Sequence, residues 1–144
     1  MPKVTLDFTG FELPEGWTTT MAVFSGPEER FGKGETPLRT NIAISTEQVA
    51  EGKDFHEYAE EKTTFLRQQL PDYKVVSDQE VSICGVTGLL REQTFSGPNG
   101  MLLQQLVLYF IKENTGYSLA GSHLQGLRFN KIKPKLLELF QSMK

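Results

Sequence analysis

"MLLQQLVLYFIKE", residues 101–113, is the most apolar stretch of the chain and decides how the fold is interpreted. As a β-strand it places apolar side chains on both faces, with Gln105 interrupting one face and Gln104 the other. A strand with one face in water should alternate apolar and polar residues. This strand therefore needs something to cover each of its faces.

The composition is that of one soluble globular domain, and we expect residues 1–144 to form a single unit. Hydrophobic residues make up 38% of the chain and charged residues 23%, which excludes a disordered polypeptide. The formal net charge is −3, and the longest basic cluster is Lys131–Lys135. Nucleic acid is therefore not an expected partner, because phosphate binding needs a concentrated positive surface.

The N-terminal sequence "MPKVTLDFTGF" carries no apolar run typical of a secretory signal, and residues 101–113 are too short to span a bilayer. The single cysteine, Cys84, cannot form an intramolecular disulfide. We therefore expect a cytoplasmic protein with no stable membrane insertion.

Strand patterns occupy much of the first third of the chain. The runs 3–8, 18–25 and 39–46 are predicted strands, since they alternate or are rich in β-branched residues. The segment 26–38, between the second and third of these runs, holds glycines, prolines and charged residues, which is typical of an exposed loop.

The clearest helix covers residues 55–70. Asp54 is placed to cap its N-terminus with Glu57 in the capping-box position, and Pro71 ends it. One apolar stripe recurs at spacings of three and four and consists of Phe55, Tyr58, Ala59, Lys62, Phe65, Leu66 and Leu70.

Four strand patterns separated by turn residues follow, at 73–83, 86–96, 101–112 and 117–124, and predict an antiparallel meander. The last segment, 131–143, is a predicted amphipathic helix with Pro134 in its first turn. Its apolar stripe holds Ile132, Leu136, Phe140 and Met143.

The expected fold class is α+β: a twisted antiparallel sheet of about six strands with two main helices packed on it. If both helices lie on one face, the other face of strand 101–111 is an open apolar surface, and such surfaces mark interaction sites. Alternatively, this strand is central, with a helix on each side, or a homodimer partner covers one face. The sequence pattern leaves these possibilities open.

Catalytic chemistry has no supporting motif. His56 and His123 lie far apart without neighbours at metal-ligand spacing, and nothing near Cys84 would activate a thiol. "FGKGET" at 31–36 lacks the spacing of a phosphate-binding loop. We expect a protein that is not an enzyme and that uses no metal or cofactor.

Several segments together resemble the DcrB-related proteins. These are "LPEGW" (13–17), "MAVF" (21–24), "NIAIS" (41–45), "DFHEYAEEKTTFLRQQLPDYKVV" (54–76), "GVTGLL" (85–90) and "QQLVLYFI" (104–111). The most specific part is the turn Gln69–Lys74, "QLPDYK". The resemblance implies the fold shared by the PsbP proteins and the Ran-binding Mog proteins, an antiparallel sheet with helices.

Members of this family without an export signal resemble the Eag chaperones of type VI secretion systems. The resemblance implies a homodimer that holds the hydrophobic, helical transmembrane segments of a protein effector. The client-facing residues that it implies are Met21, Val23, Ala43, Leu70 and Leu89. From the apolar strand we add Leu103 and Val107 to this set.

Two other functions are kept as alternatives. One is a small scaffold or regulator that binds a folded partner through a charged surface, as the Ran-binding relatives would. The other is an enzyme or small-lipid carrier, which would need a closed pocket instead of an open groove.

Overall fold

The computed structural model describes residue 15 and residues 21–26, 40–97 and 100–142. Within them the chain forms six strands and two helices: β1 (Met21–Ser25), β2 (Asn41–Gln48), α1 (Phe55–Gln69), β3 (Lys74–Ile83), β4 (Val86–Ser96), β5 (Leu102–Lys112), β6 (Thr115–Leu124) and α2 (Leu127–Gln141). The predicted strand 3–8 and most of the predicted loop 26–38 lie outside the described residues.

All neighbouring strands are antiparallel, in the order β1-β2-β6-β5-β4-β3. The predicted meander is therefore confirmed as β3 to β6. The expected α+β class with a six-stranded antiparallel sheet is confirmed as well.

Tight turns set the register of this meander. Cys84 and Gly85 between β3 and β4 both have positive φ, and so do Glu113 and Asn114 between β5 and β6. Two consecutive residues with positive φ are the signature of the type I′ turn, whose twist matches that of the paired strands.

The two helices lie on opposite faces of the sheet. α1 packs Tyr58 and Ala59 against Leu89, Val107 and Tyr109, and we name this side of the sheet the α1 face. α2 covers the other side, the α2 face, over a core that contains Leu106, Leu108, Phe110, Leu119, Phe129, Ile132, Leu136 and Phe140.

Strand β5 thus has the central position that the sequence left as an alternative. The conditional expectation that both helices cover one face is wrong, because the odd-numbered side chains of β5 meet α1 and the even-numbered ones meet α2. Its apolar character on both faces follows directly from burial on both sides.

α1 begins and ends close to its predicted limits. The Asp54 side chain caps it by accepting a hydrogen bond from the His56 N–H at 3.2 Å. Its buried residues are Tyr58, Ala59 and Thr63, whereas Phe65, placed in the predicted apolar stripe, is exposed. The stripe facing the sheet is thus narrower than the sequence pattern indicated.

α2 begins four residues earlier than predicted, at Leu127, after Gly126 with a positive φ. Pro134 therefore lies in the helix interior and not in the first turn, which corrects the prediction. Its exposed position on the outer side of the helix lets α2 keep its buried stripe of Ile132, Leu136 and Phe140. Met143 lies outside the described residues.

No helix in the described ranges is both long and apolar enough to cross a membrane.

Candidate functional site: the open strip of the α1 face

α1 covers only part of its face of the sheet, because it packs against β4 and β5. Among the described residues, neither helix covers most of the remaining part, over β1, β2 and β6, and we name it the open strip. Its floor consists of small side chains on β2 and β6, and its outer edge is formed by β1. The open strip comprises Met21, Val23, Ala43, Ser45, Ser118, Ala120 and Ser122.

Strand pairing places these residues in rows across the sheet. Val23 lies opposite Ala43, Ala43 opposite Ala120, and Ala120 opposite Val107. Directly paired residues of an antiparallel sheet share one face. The open strip is therefore continuous with the buried core beneath α1.

Most of the predicted client-facing residues lie on the α1 face, but they differ in accessibility. Met21 is 65% exposed and Val23 61% exposed, on the edge strand β1. Ala43 on β2 and Leu103 on β5 are half-buried, and Leu70 is half-buried where α1 ends.

Leu89 and Val107 differ from the other members of the set. Both are buried beneath α1, in contact with the cluster that contains Tyr58 and Tyr109. In this arrangement they support α1 and present no surface to a client.

Phe65 is a residue of the site that the sequence pattern assigned to the core. It is 58% exposed and lines a shallow depression together with Glu47, Glu61 and Lys62. Because Glu47 belongs to β2, this depression joins α1 to the open strip. The small floor residues Ser45, Ser118 and Ala120 were also missed, since only the strand register shows that they share a face with Val23.

A buried arginine holds α1 on the sheet. Arg91 is 3% exposed, and its Nε and Nη2 donate to the two carboxylate oxygens of Asp78 at 2.7 and 3.0 Å. Its Nη1 donates to the hydroxyl of Thr63 on α1. The hydrogen bonds with Asp78 raise the pKa of Arg91 and outweigh burial, which lowers it.

An ion pair closes the gap between α1 and β2. Lys62 Nζ lies 2.6 Å from Glu47 Oε1 and 5.4 Å from the centre of the Tyr58 ring. Burial raises the pKa of Tyr58, so this phenol stays protonated at neutral pH. The pair thus ties α1 to β2 at the side of the open strip.

The Tyr58 ring packs so closely on the sheet that residue 116 must lack a side chain. A Cβ at Gly116 would overlap the Tyr58 ring at Cε2. Glycine thus sets the height at which α1 lies over β6 and, with it, the depth of the open strip.

A row of polar side chains crosses the α1 face at the end of the strands where Ser25 of β1 pairs with Asn41 of β2. Ser25 Oγ donates to Asn41 Oδ1 at 3.1 Å, and Gln93 Nε2 donates to Gln105 Oε1 at 2.7 Å. The Tyr73 hydroxyl donates to Gln93 Oε1 at 2.6 Å. The apolar floor of the open strip is therefore bordered by hydrogen-bonding groups along one side.

The two histidines and the cysteine lie apart from this site and from one another. His56 pairs with Glu80 at the surface, His123 is buried on the α2 face, and Cys84 lies in the β3–β4 turn. In the stretches that the structure describes, no three histidine, cysteine or carboxylate side chains are grouped to hold a metal ion.

The fold is similar to that of two solved structures. The chain superposes on PA94 from Pseudomonas aeruginosa, a protein of unknown function, with a TM-score of 0.74 at 15% identity, over 98% of this chain and 94% of that one. It superposes on the cyanobacterial PsbP protein (CyanoP) of Synechocystis sp. PCC 6803 with a TM-score of 0.54 at 9% identity, over 92% and 95%. The PsbP-like fold that the resemblance to the DcrB-related proteins implies is thereby confirmed.

No curated protein matches the chain in sequence. The model of the DcrB family matches residues 9–119, which is more than half of the chain and includes both β1 and α1. The chain belongs to the DcrB family.

Proposed function

We propose that the protein is a non-enzymatic chaperone or adaptor that holds an apolar helical segment of a partner protein on the open strip. The observation that carries the proposal is the exposure of three large apolar side chains around one floor of small residues. Met21 and Val23 border this floor on β1, and Phe65 borders it on α1.

The width of the open strip suits one helix. Neighbouring strands are about 4.8 Å apart, so β1, β2 and β6 span roughly 10 Å between the outer two. An α-helix with its side chains is about 10 Å across. A client helix would therefore lie beside α1 as a second helix on the same face.

The floor chemistry supports close packing of such a helix. Ala43, Ala120 and the serines on β2 and β6 project little from the sheet, so a helix can approach the backbone closely. Met21 adds an unbranched side chain that adapts to clients of different sequence. The half-buried Leu70 and Leu103 extend the apolar boundary at the end of α1.

The client in this role is the hydrophobic transmembrane segment of a type VI secretion effector. A segment of this kind exposes on the order of 20 apolar residues in water and needs cover until it is inserted. The resemblance to the Eag chaperones also supports a homodimer in the cytoplasm. The second copy would contribute a second open strip.

The test is a titration of the protein with a fluorescent peptide that forms an apolar helix. Val23→Gln should weaken binding roughly tenfold, because burying a valine contributes about 1.5 kcal/mol or more. Val76→Gln is the matched control, since Val76 is equally exposed but lies on β3 at the opposite edge of the sheet.

Equal affinities of the two variants for the peptide would contradict the proposal. Thermal melts of the free variants accompany the titration. Both substitutions replace exposed side chains, so a melt lowered in Val23→Gln alone would place Val23 in the core and remove it from the site.

A further inference from the structure

A second exposed apolar cluster lies at one end of the sheet, away from the open strip. Leu127, the first residue of α2, is 88% exposed, and Leu102 at the start of β5 is 51% exposed. The Gln125 N–H donates to the Leu102 carbonyl oxygen at 3.0 Å, which ties the segment before α2 to the start of β5. Met101 precedes Leu102 and is exposed as well.

Basic residues follow Leu127 along the first half of α2. Between Asn114 and Leu137 the sequence contains no aspartate or glutamate, while it contains Arg128, Lys131, Lys133 and Lys135. Lys131 and Lys135 are exposed, and they follow Leu127 at intervals of four residues along one side of α2. Lys133 differs, because its Nζ pairs with Glu92 Oε1 at 2.7 Å.

We propose that this end of the molecule docks on the surface of an anionic lipid bilayer. Leu127, Leu102 and Met101 enter the headgroup region, and Lys131 and Lys135 face the lipid phosphates. Exposed apolar side chains flanked by lysines are the pattern of interfacial binding. Each lysine near an anionic surface adds about 1 kcal/mol of attraction.

The size of the cluster favours a bilayer over a protein partner. A specific, stable protein interface buries roughly 800 Å² on each side, which three side chains do not supply. A bilayer requires no matching shape, and its attraction grows with each apolar side chain and each cation that reaches it.

Peripheral docking at this end is independent of the proposed function. The cluster belongs to β5 and α2 at the end of the strands, whereas Met21, Val23 and Phe65 belong to the open strip. α2 also lies beyond residues 9–119, the part that matches the family model.

Vesicle flotation tests the inference, with mixed phosphatidylcholine–phosphatidylglycerol vesicles compared with pure phosphatidylcholine. The protein should float with the anionic vesicles and be released by added salt, since the attraction is screened. The double variant Lys131→Gln/Lys135→Gln should bind at least tenfold more weakly. Leu127→Gln should lower binding several-fold.

Phe65→Gln is the control, since it removes another exposed apolar side chain, one that borders the open strip. It should leave flotation unchanged. Three results would overturn the inference: no flotation with anionic vesicles, equal flotation with both vesicle types, or equal loss in Phe65→Gln. A change of oligomeric mass in Leu127→Gln without a change in flotation would assign the cluster to a protein contact instead.

Discussion

Arg91 on β4 and Asp78 on β3 form a two-point pair, with Nε to Oδ1 at 2.7 Å and Nη2 to Oδ2 at 3.0 Å. The guanidinium lies in the row that runs from Val23 through Ala43, Ala120 and Val107. It also bonds Thr63 of α1, so one charged side chain joins the sheet edge to the helix that borders the open strip.

Removal of the Asp78 carboxylate should therefore lower the stability of the fold more than removal of the Arg91 guanidinium. Asp78→Ala leaves a buried guanidinium with Glu60 at 3.4 Å as its remaining carboxylate, and we expect the free energy of unfolding to fall by about 2–4 kcal/mol. Arg91→Met removes the charge and keeps an apolar side chain, so it should cost less. Urea denaturation measures both, and a larger loss for Arg91→Met would contradict this role.

Leu89 should prove to be a core residue and not a client contact. Leu89→Ala leaves a cavity beside Tyr109 and beneath α1, and it should lower the free energy of unfolding by about 2–5 kcal/mol. Affinity for an apolar helical peptide, measured at a temperature where the variant is folded, should stay within a factor of two or so of the wild type. A selective loss of peptide binding without a loss of stability would restore Leu89 to the site.

Two buried phenols should make stability fall at high pH. Burial raises the pKa of Tyr58 and of Tyr109 above the ordinary value of 10.0. Above pH 10 the unfolded chain releases these protons first and binds fewer protons than the folded chain, so the free energy of unfolding decreases as the pH rises.

The expected slope is about 1.4 kcal/mol per pH unit for each phenol. Chemical denaturation of the wild type and of Tyr58→Phe/Tyr109→Phe at several pH values measures it. In the double variant, the part of the pH dependence that comes from the two phenols should be absent. Identical slopes would show that neither phenol titrates differently on folding.

The β5–β6 turn offers a stabilising substitution. Glu113 has φ of 52° and Asn114 φ of 61°, a conformation that asparagine and glycine adopt more readily than glutamate. Glu113→Asn should raise the free energy of unfolding by about 0.5–1 kcal/mol. Glu113→Gln removes the same charge without easing the backbone, so a matching gain in that variant would attribute the effect to charge.

The order of elements could be predicted because each pattern is local. The Asp54 cap, the Pro71 stop and the β3–β4 turn act over a few positions, and they lie where the sequence placed them. The β5–β6 turn is shorter than predicted, because β6 begins at Thr115 and not at residue 117. The start of α2 was missed because Gly126 replaces a capping side chain and Pro134 suggested a first turn. α2 remains helical through this exposed proline because its opposite side is buried against the sheet.

The layout of the site could not be predicted, because it depends on which face each helix covers. The alternation of side chains along strand 101–111 is compatible with helices on one face of the sheet or on both. Phe65 fits the periodicity of a buried stripe, yet the contact between α1 and the sheet is narrow enough to leave it exposed. Gly116 decides how close α1 comes, but the sequence pattern placed this glycine in the turn before strand 117–124 and not on the sheet.

Photo-crosslinking tests the central claim most directly, with benzoylphenylalanine placed at Met21 and, in a second variant, at Leu139. Both positions are exposed, and they lie on the open strip and on α2 respectively. With an apolar helical peptide present, the probe at Met21 should form the crosslinked product and the probe at Leu139 should not. Crosslinking from Leu139 alone, or equally from both positions, would contradict binding on the open strip.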